Sequence, residues 1–273
     1  MTIEQIIVLA IVQGITEFLP ISSSGHLLII PAFTGWSDQG LTSDIMVHVG
    51  SLAAIIAYFW RDVLMLIGGA FDLVRLQMSD RARMALYIVL GTVPAVVFAL
   101  ILKKTGLLDT IRADASLKLQ IVAWNAIIFG VLLYVADHLG PRLKTMEAMT
   151  LPPAMIIGLA QALALIPGTS RSGITMTAAR MLGFERPEAA RFSFLLGMPA
   201  IAGAGLLTFL EARKNGVAIS SDQWLAAGFS FLASIAAITI LMALVKRMSF
   251  LPFTLYRLAL GGALLVLASQ GMG

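Results

Sequence analysis

Apolar residues fill long stretches of this chain, and at two places polar residues break a helix-length apolar segment instead of linking two of them. Residues 3–18 are largely apolar but hold Gln13 and Glu17, and Pro20 stops the run short of the ~20 residues a helix needs to cross a hydrocarbon core. Ser22-Ser23-Ser24 then supplies N-cap chemistry for a second short segment, which Pro31 and Gly35 end. The pattern predicts a re-entrant helical hairpin over 3–34 with its polar tip at membrane depth. Non-helical backbone is tolerated there only where protein or a water-filled cavity meets it. Full spans are expected near 45–60, 84–102 and 117–135, the second kinked at Pro94. Between the first two, 63–76 is too short to cross, and Asp72 and Arg75 make it interfacial.

After Pro141 and Lys144 the pattern restarts with a hairpin over 151–182, broken by Pro167-Gly-Thr-Ser-Arg-Ser-Gly-Ile-Thr175, and spans near 192–210, 224–245 and 251–267. Gly25, Gly35 and Gly50 find counterparts at Gly173, Gly183 and Gly197 at a nearly constant offset, and Gln13 answers Gln161. This is an internal repeat, with units at 1–140 and 145–273 inside one membrane domain. A hairpin that returns to its own side plus three spans leaves the second unit starting on the opposite face. The expected fold is therefore an all-α polytopic membrane protein of two inverted-topology repeats, each a re-entrant helical hairpin plus about three transmembrane helices. Their hairpin tips would meet near the midplane, as in broken-helix binding sites.

Composition agrees: 59% of the residues are hydrophobic and 12% charged, outside the range of soluble domains. The chain has no cysteine, which excludes a disulfide framework and a thiolate metal site. The net charge of +4 reports loop placement, not an acidic partner, and nothing supports nucleic-acid binding. Arg61, Arg75, Arg81, Arg83, Arg142, Lys144, Arg186, Lys246 and Arg247 fall on one side of this topology and outnumber the basic residues on the other. That excess puts the termini outside the cytoplasm. The N-terminal segment lacks a basic region and a small-residue cleavage site and reads as mature chain.

A charge inside the membrane is costly, and such residues are usually paired and functional. Glu17 shares a helix face with Gln13, four residues before it, and Arg171 is its expected partner. Short helices beginning at Ser24 and Ser172 would aim free N–H groups and positive dipole ends at one cavity, an anion site. The hydroxyls of Ser22, Ser23, Ser170, Ser172 and Thr175, with the fork of Arg171, suit phosphate oxygens. His26, in the first turn of its helix, is placed to act as a neutral nucleophile or base. Taken singly, a serine cluster is a cap and an intramembrane Glu can be structural. His48 and His138 read as interface or packing residues and Ser193 as a packing hydroxyl. The functional reading rests on Glu17, His26 and Arg171 falling at matching breaks of a repeat.

Gln13-Gly-Ile-Thr-Glu17-Phe-Leu-Pro-Ile-Ser-Ser-Ser-Gly-His26 and Pro167-Gly-Thr-Ser-Arg-Ser-Gly-Ile-Thr175 resemble the two signature motifs of the bacterial undecaprenyl-pyrophosphate phosphatases linked to bacitracin resistance. The resemblance covers essentially the whole chain, including Phe192-Ser-Phe-Leu-Leu-Gly-Met-Pro199. It implies a multi-pass enzyme of the bacterial plasma (inner) membrane that hydrolyses undecaprenyl pyrophosphate to undecaprenyl phosphate and inorganic phosphate, recycling the carrier for cell-wall synthesis. It also implies a divalent cation, magnesium or calcium. Carried over by position, Glu17 would hold the cation, with Gln13, where the family has Glu or Gln, a doubtful second ligand. Ser23 or His26 would attack phosphorus, and Ser170, Arg171 and Thr175 would clamp the pyrophosphate. Ser22, Ser24, Ser172, Gly25, Gly168 and Gly173 complete the expected binding set. The partner is the polyprenyl pyrophosphate lipid, for which bacitracin competes without binding the protein, and a homodimer is compatible with this reading.

The competing reading is a flippase or secondary transporter of a phosphorylated substrate, since inverted repeats with broken helices are also transporter architecture. A second lipid-phosphatase superfamily shares Ser-Gly-His and Ser-Arg elements. It needs a histidine seven residues after its serine, where this chain has Thr177, and no histidine follows His138.

Overall fold

The computed structural model describes residues 2–36, 41–107, 110–111, 114–214 and 220–270, and among them it is all-helical. Eleven α-helices follow in order: α1 (Ile3–Thr16), α2 (Ser23–Thr34), α3 (Leu41–Tyr58), α4 (Trp60–Val74), α5 (Asp80–Thr105), α6 (Ala115–Leu139), α7 (Leu151–Leu163), α8 (Arg171–Met181), α9 (Arg186–Lys214), α10 (Ser221–Leu244) and α11 (Leu251–Ser269). Five of these, α5, α6, α9, α10 and α11, are long and apolar enough to cross a membrane. A sixth span arises if α3 and α4 count as one, but they meet at 89° at Phe59, so α4 leaves the direction of α3 as an interfacial segment would. The chain is thus a multi-pass membrane protein. Large apolar side chains on α5, among them Val89, Val93, Val96, Leu100 and Ile101, stay exposed for the same reason: lipid, not water, is their solvent.

Each expected hairpin is a pair of short helices in contact, α1 with α2 and α7 with α8, and both first arms are short. At ~1.5 Å per residue, the 14 residues of α1 and the 13 of α7 reach only about 20 Å, two-thirds of a ~30 Å hydrocarbon core. Thr2 starts α1 with a capping box, accepting from the Gln5 backbone N–H while the Gln5 side chain accepts from its own. Pro152 and Pro153 open α7, where their missing N–H groups cost nothing.

The packing partners follow a crossed pattern. α1 packs on α10 and α7 on α5; α3 packs on α10, and α9 on α5 and on α3; α6 and α11 lie against each other. Small residues permit this closeness. A Cβ at Gly50 of α3 would overlap the Ala227 carbonyl of α10, and one at Gly158 of α7 the Gly91 carbonyl of α5. A buried serine cluster joins the first pair: Ser230 donates to the Val47 carbonyl at 2.7 Å and Ser234 to the Ser51 hydroxyl at 3.1 Å. Gly50→Val should therefore force α3 away from α10, at a cost of about 1–3 kcal/mol for overpacking. A lowered melting temperature of the detergent-solubilised protein checks this, and no change would mean the two helices have slack.

One end of the bundle is tied by charge. Asp137, buried at the end of α6, accepts from Arg180 of α8 at 3.0 Å, from Arg186 of α9 at 2.7 and 2.8 Å and from the Phe250 backbone N–H before α11 at 3.0 Å. Asp62 of α4 pairs with Arg191 of α9 at the same end. Of the basic residues expected on the cationic side, Arg186 is thus paired inside the protein.

Candidate active site

The two hairpin tips have the same backbone. Ser22 and Ser170, each just before a second arm, adopt left-handed φ values of +77° and +71°, a conformation that costs a non-glycine residue about 1–3 kcal/mol. The hydroxyl of each accepts from the backbone N–H three residues on, Gly25 at 3.4 Å and Gly173 at 3.1 Å. The turn thus aims the first residue of the helix that follows, Ser23 in one tip and Arg171 in the other, toward Glu17. Glu17 is nearly fully buried. Its Oε1 accepts from Arg171 Nη2 at 2.7 Å, and its Oε2 from Ser23 Oγ at 2.6 Å and Gln13 Nε2 at 3.0 Å. The Ser172 hydroxyl donates across to the Leu19 carbonyl at 3.0 Å and joins the tips.

A cavity of about 260 Å³ opens on this cluster, lined at one end by Glu17, Ser23, His48, Gln161, Ser170 and Arg171. Its remaining wall is apolar, from Ile45 and Ala95 to Leu165, Ile201 and Ala204. Such a site suits a molecule with an anionic head and a hydrocarbon body. His48 reaches it from α3. Its Nδ1 lies 2.6 Å from the Asp44 carbonyl, which can only accept, so Nδ1 carries a proton there, and Nε2 stands 3.6 Å from Glu17 Oε2.

Beneath the tips lies Arg257 of α11, fully buried. Its five N–H donors all reach carbonyls: Ala126 at 3.0 Å, Asn125 at 2.9 Å, Pro20 at 3.2 Å, Gly168 at 3.0 Å and Thr169 at 3.0 Å. The first two belong to α6, the third to the first tip and the last two to the second.

The family described as bacitracin resistance protein BacA matches residues 6–263, nearly the whole chain with both tips. The chain belongs to the BacA family. Among its relatives, proteins named undecaprenyl-diphosphatase are 47% identical in Erythrobacter litoralis, over 97% of this chain and 99% of theirs. The same name goes with 46% identity in Alteromonas mediterranea, over 97% of this chain and 98% of the relative. Undecaprenyl-diphosphatase 1 of Rhodospirillum rubrum is 46% identical over 99% of this chain and 97% of its own.

Of the residues expected from the sequence of this BacA chain, Glu17, Ser23, Ser170 and Arg171 meet in the cavity, with Gln13 bonded to Glu17 behind them. His26 is elsewhere. Its Nδ1 lies 2.7 Å from the Ser22 carbonyl and its Nε2 2.6 Å from the Tyr256 hydroxyl of α11, so both nitrogens are engaged away from the cavity lining. Thr175 turns inward too, donating to the Arg171 carbonyl at 2.7 Å and meeting Ser193, a packing hydroxyl as expected, at 2.6 Å. Ser22 and Ser172 form the tips without lining the cavity, and the side chain of Ser24 lies outside the described residues. The glycines act through closeness: a Cβ on Gly168 would press on the Val122 backbone, one on Gly173 would crowd Arg257, and one on Gly25 would meet Val122. His48 and Arg257 escaped the sequence reading. An arginine inside the apolar run 251–267, with no acid near it, was the signal for the second.

Proposed function

We propose that this protein hydrolyses undecaprenyl diphosphate to undecaprenyl phosphate and inorganic phosphate in the bacterial inner membrane. One observation carries the reading beyond the relatives' names. Among the described residues, five of the six buried side-chain polar atoms without a hydrogen-bond partner, Gln13 Oε1, Gln161 Oε1 and Nε2, Thr169 Oγ1 and Arg171 Nη1, belong to the two tips and the glutamines that lead them; the sixth is Glu188 Oε2. Buried polar groups are ordinarily satisfied, and a cluster that is not marks where a polar ligand completes the structure. Arg171, with Nη2 on Glu17 and Nη1 free, is a donor held ready for a phosphate oxygen.

In this reading Ser23 is the nucleophile. Its hydroxyl is already bonded to Glu17, the pairing of nucleophile and base that covalent catalysis uses. As Oγ bonds to the terminal phosphorus, its proton passes to Glu17 and the bridging P–O bond breaks, releasing undecaprenyl phosphate. Water then attacks the phosphoserine, giving inorganic phosphate and returning the proton to Oγ. His26, with both nitrogens engaged, positions α2 against α11. Trapped phosphoenzyme is expected on Ser23; a phosphohistidine would transfer the role to His26.

The donors fit a hard divalent cation that keeps much of its water and substrate shell. Glu17 and the Oε1 of Gln13 would supply oxygen, while among the described residues no three His, Cys, Asp or Glu side chains converge as a closed cage would need. That favours magnesium over calcium, which takes 6–8 oxygens. When bound, it would neutralise charge on the phosphate oxygens.

The topology belongs to the same proposal. The exchange of partners, α1 with α10 and α7 with α5, supports two inverted repeats at 1–140 and 145–273 with their tips near the midplane. Bacitracin, in this scheme, competes for the lipid. The deciding experiment is phosphate release from undecaprenyl diphosphate by purified protein in detergent, abolished by chelator and restored by magnesium. No release without a gradient would favour the transporter reading.

A further inference from the structure

Gln161 is where the two halves of the site differ most. In the first hairpin Gln13 stands one turn before Glu17 and donates to it at 3.0 Å. In the second, the residue one turn after Gln161 is Leu165, which offers the amide nothing. Gln161 is only 2% exposed and lines the cavity with Glu17, Ser23, Ser170 and Arg171, yet neither its Oε1 nor its Nε2 has a partner among the described residues. Leucine or methionine would fill the same volume without stranding two polar atoms, so the amide weakens the ligand-free protein. A group retained against stability, at the cavity wall and beside an equally unpartnered Arg171 Nη1, is explained by what enters the cavity.

We propose that Gln161 is a substrate-binding residue whose Nε2–H donates to a non-bridging oxygen of the diphosphate. It adds a directional bond without charge where Arg171 supplies the charge. The inference rests on the diphosphatase reading of this cavity and adds a residue outside the two tips. It also assigns the amide an effect opposite in sign on stability and on binding, which a packing role would not have.

The experiment uses full-length protein in detergent with magnesium and the non-hydrolysable probe methylenediphosphonate. In Gln161→Leu, the inhibition constant of the probe and the KM for undecaprenyl diphosphate should both rise about tenfold, the loss of one good hydrogen bond to a charged acceptor. kcat should change less, and the melting temperature without ligand should rise. Gln161→Met, closer in shape, should behave alike, so that poor folding of one variant does not decide the matter. Unchanged probe affinity, or a lowered melting temperature in both variants, overturns the proposal. If wild-type protein releases no phosphate from undecaprenyl diphosphate, the diphosphatase reading itself falls, and this inference with it; if it releases phosphate but does not bind the probe, an unchanged KM in both variants overturns the inference alone.

Discussion

Arg171→Lys should lower kcat/KM by about 10²–10³-fold, the cost of losing one donor aimed at developing charge, while the protein stays folded. The guanidinium has two tasks that need its planar fork. Nη2 holds Glu17 Oε1 at 2.7 Å, and Nη1 is left for the phosphate. A lysine ammonium can stay on Glu17 or move to the phosphate, but it cannot hold both in fixed geometry. Gly197 of α9 makes room for the fork, since a Cβ there would overlap the guanidinium. Phosphate release at limiting substrate, with the melting temperature as folding control, checks this. Full activity in the lysine variant would mean that diffuse positive charge is enough, and the clamp would be abandoned.

The pairing behind this prediction was legible in the sequence because it rests on local signals. Breaks in apolar runs, a carboxylate and an arginine at membrane depth, and serines before short helices each have a local cause, and they single out Glu17, Ser23 and Arg171, which lie together in the structure. Five of the six expected spans were legible too, as with α5 at Asp80–Thr105 against 84–102, whereas the one near 45–60 falls on α3, which is long and apolar enough only together with α4 across their bend. What the sequence could not supply is side-chain direction within an element. Thr175 and Ser170 are both hydroxyls of one motif, but Thr175 faces back along its helix to Arg171 and Ser193, whereas Ser170 faces the cavity. The two histidines show the same limit: His26 lies against Tyr256, while His48, read as an interface or packing residue, lies beside Glu17. The motif made His26 conspicuous, whereas the rotation of α3, set by its glycine and serine packing on α10, brings His48 to Glu17.

Arg257 is the other residue whose loss should be felt most, and it touches no reacting atom. Its guanidinium bonds both tips at once, through Pro20 on one side and Gly168 and Thr169 on the other. No backbone N–H among the described residues reaches the three tip carbonyls, so they depend on it. Arg257→Met keeps the bulk and strands all three, at about 1–3 kcal/mol for each group left unsatisfied. A loss on the order of 3–5 kcal/mol, as for breaking other buried charged groups, is a large part of the ~5–15 kcal/mol that holds a domain folded. The melting temperature should fall sharply, and activity should be lost even at temperatures where the helices persist, because Ser22-Ser23 and Ser170-Arg171 hang from the released carbonyls. Arg257→Lys has three donors for five carbonyls and should fall between. Both tips are strained at Ser22 and Ser170, so without this anchor each turn can relax toward an ordinary φ and swing Ser23 and Arg171 away from Glu17. A methionine variant with normal stability and turnover would show that the tips hold their shape unaided, and that the buried arginine is a passenger.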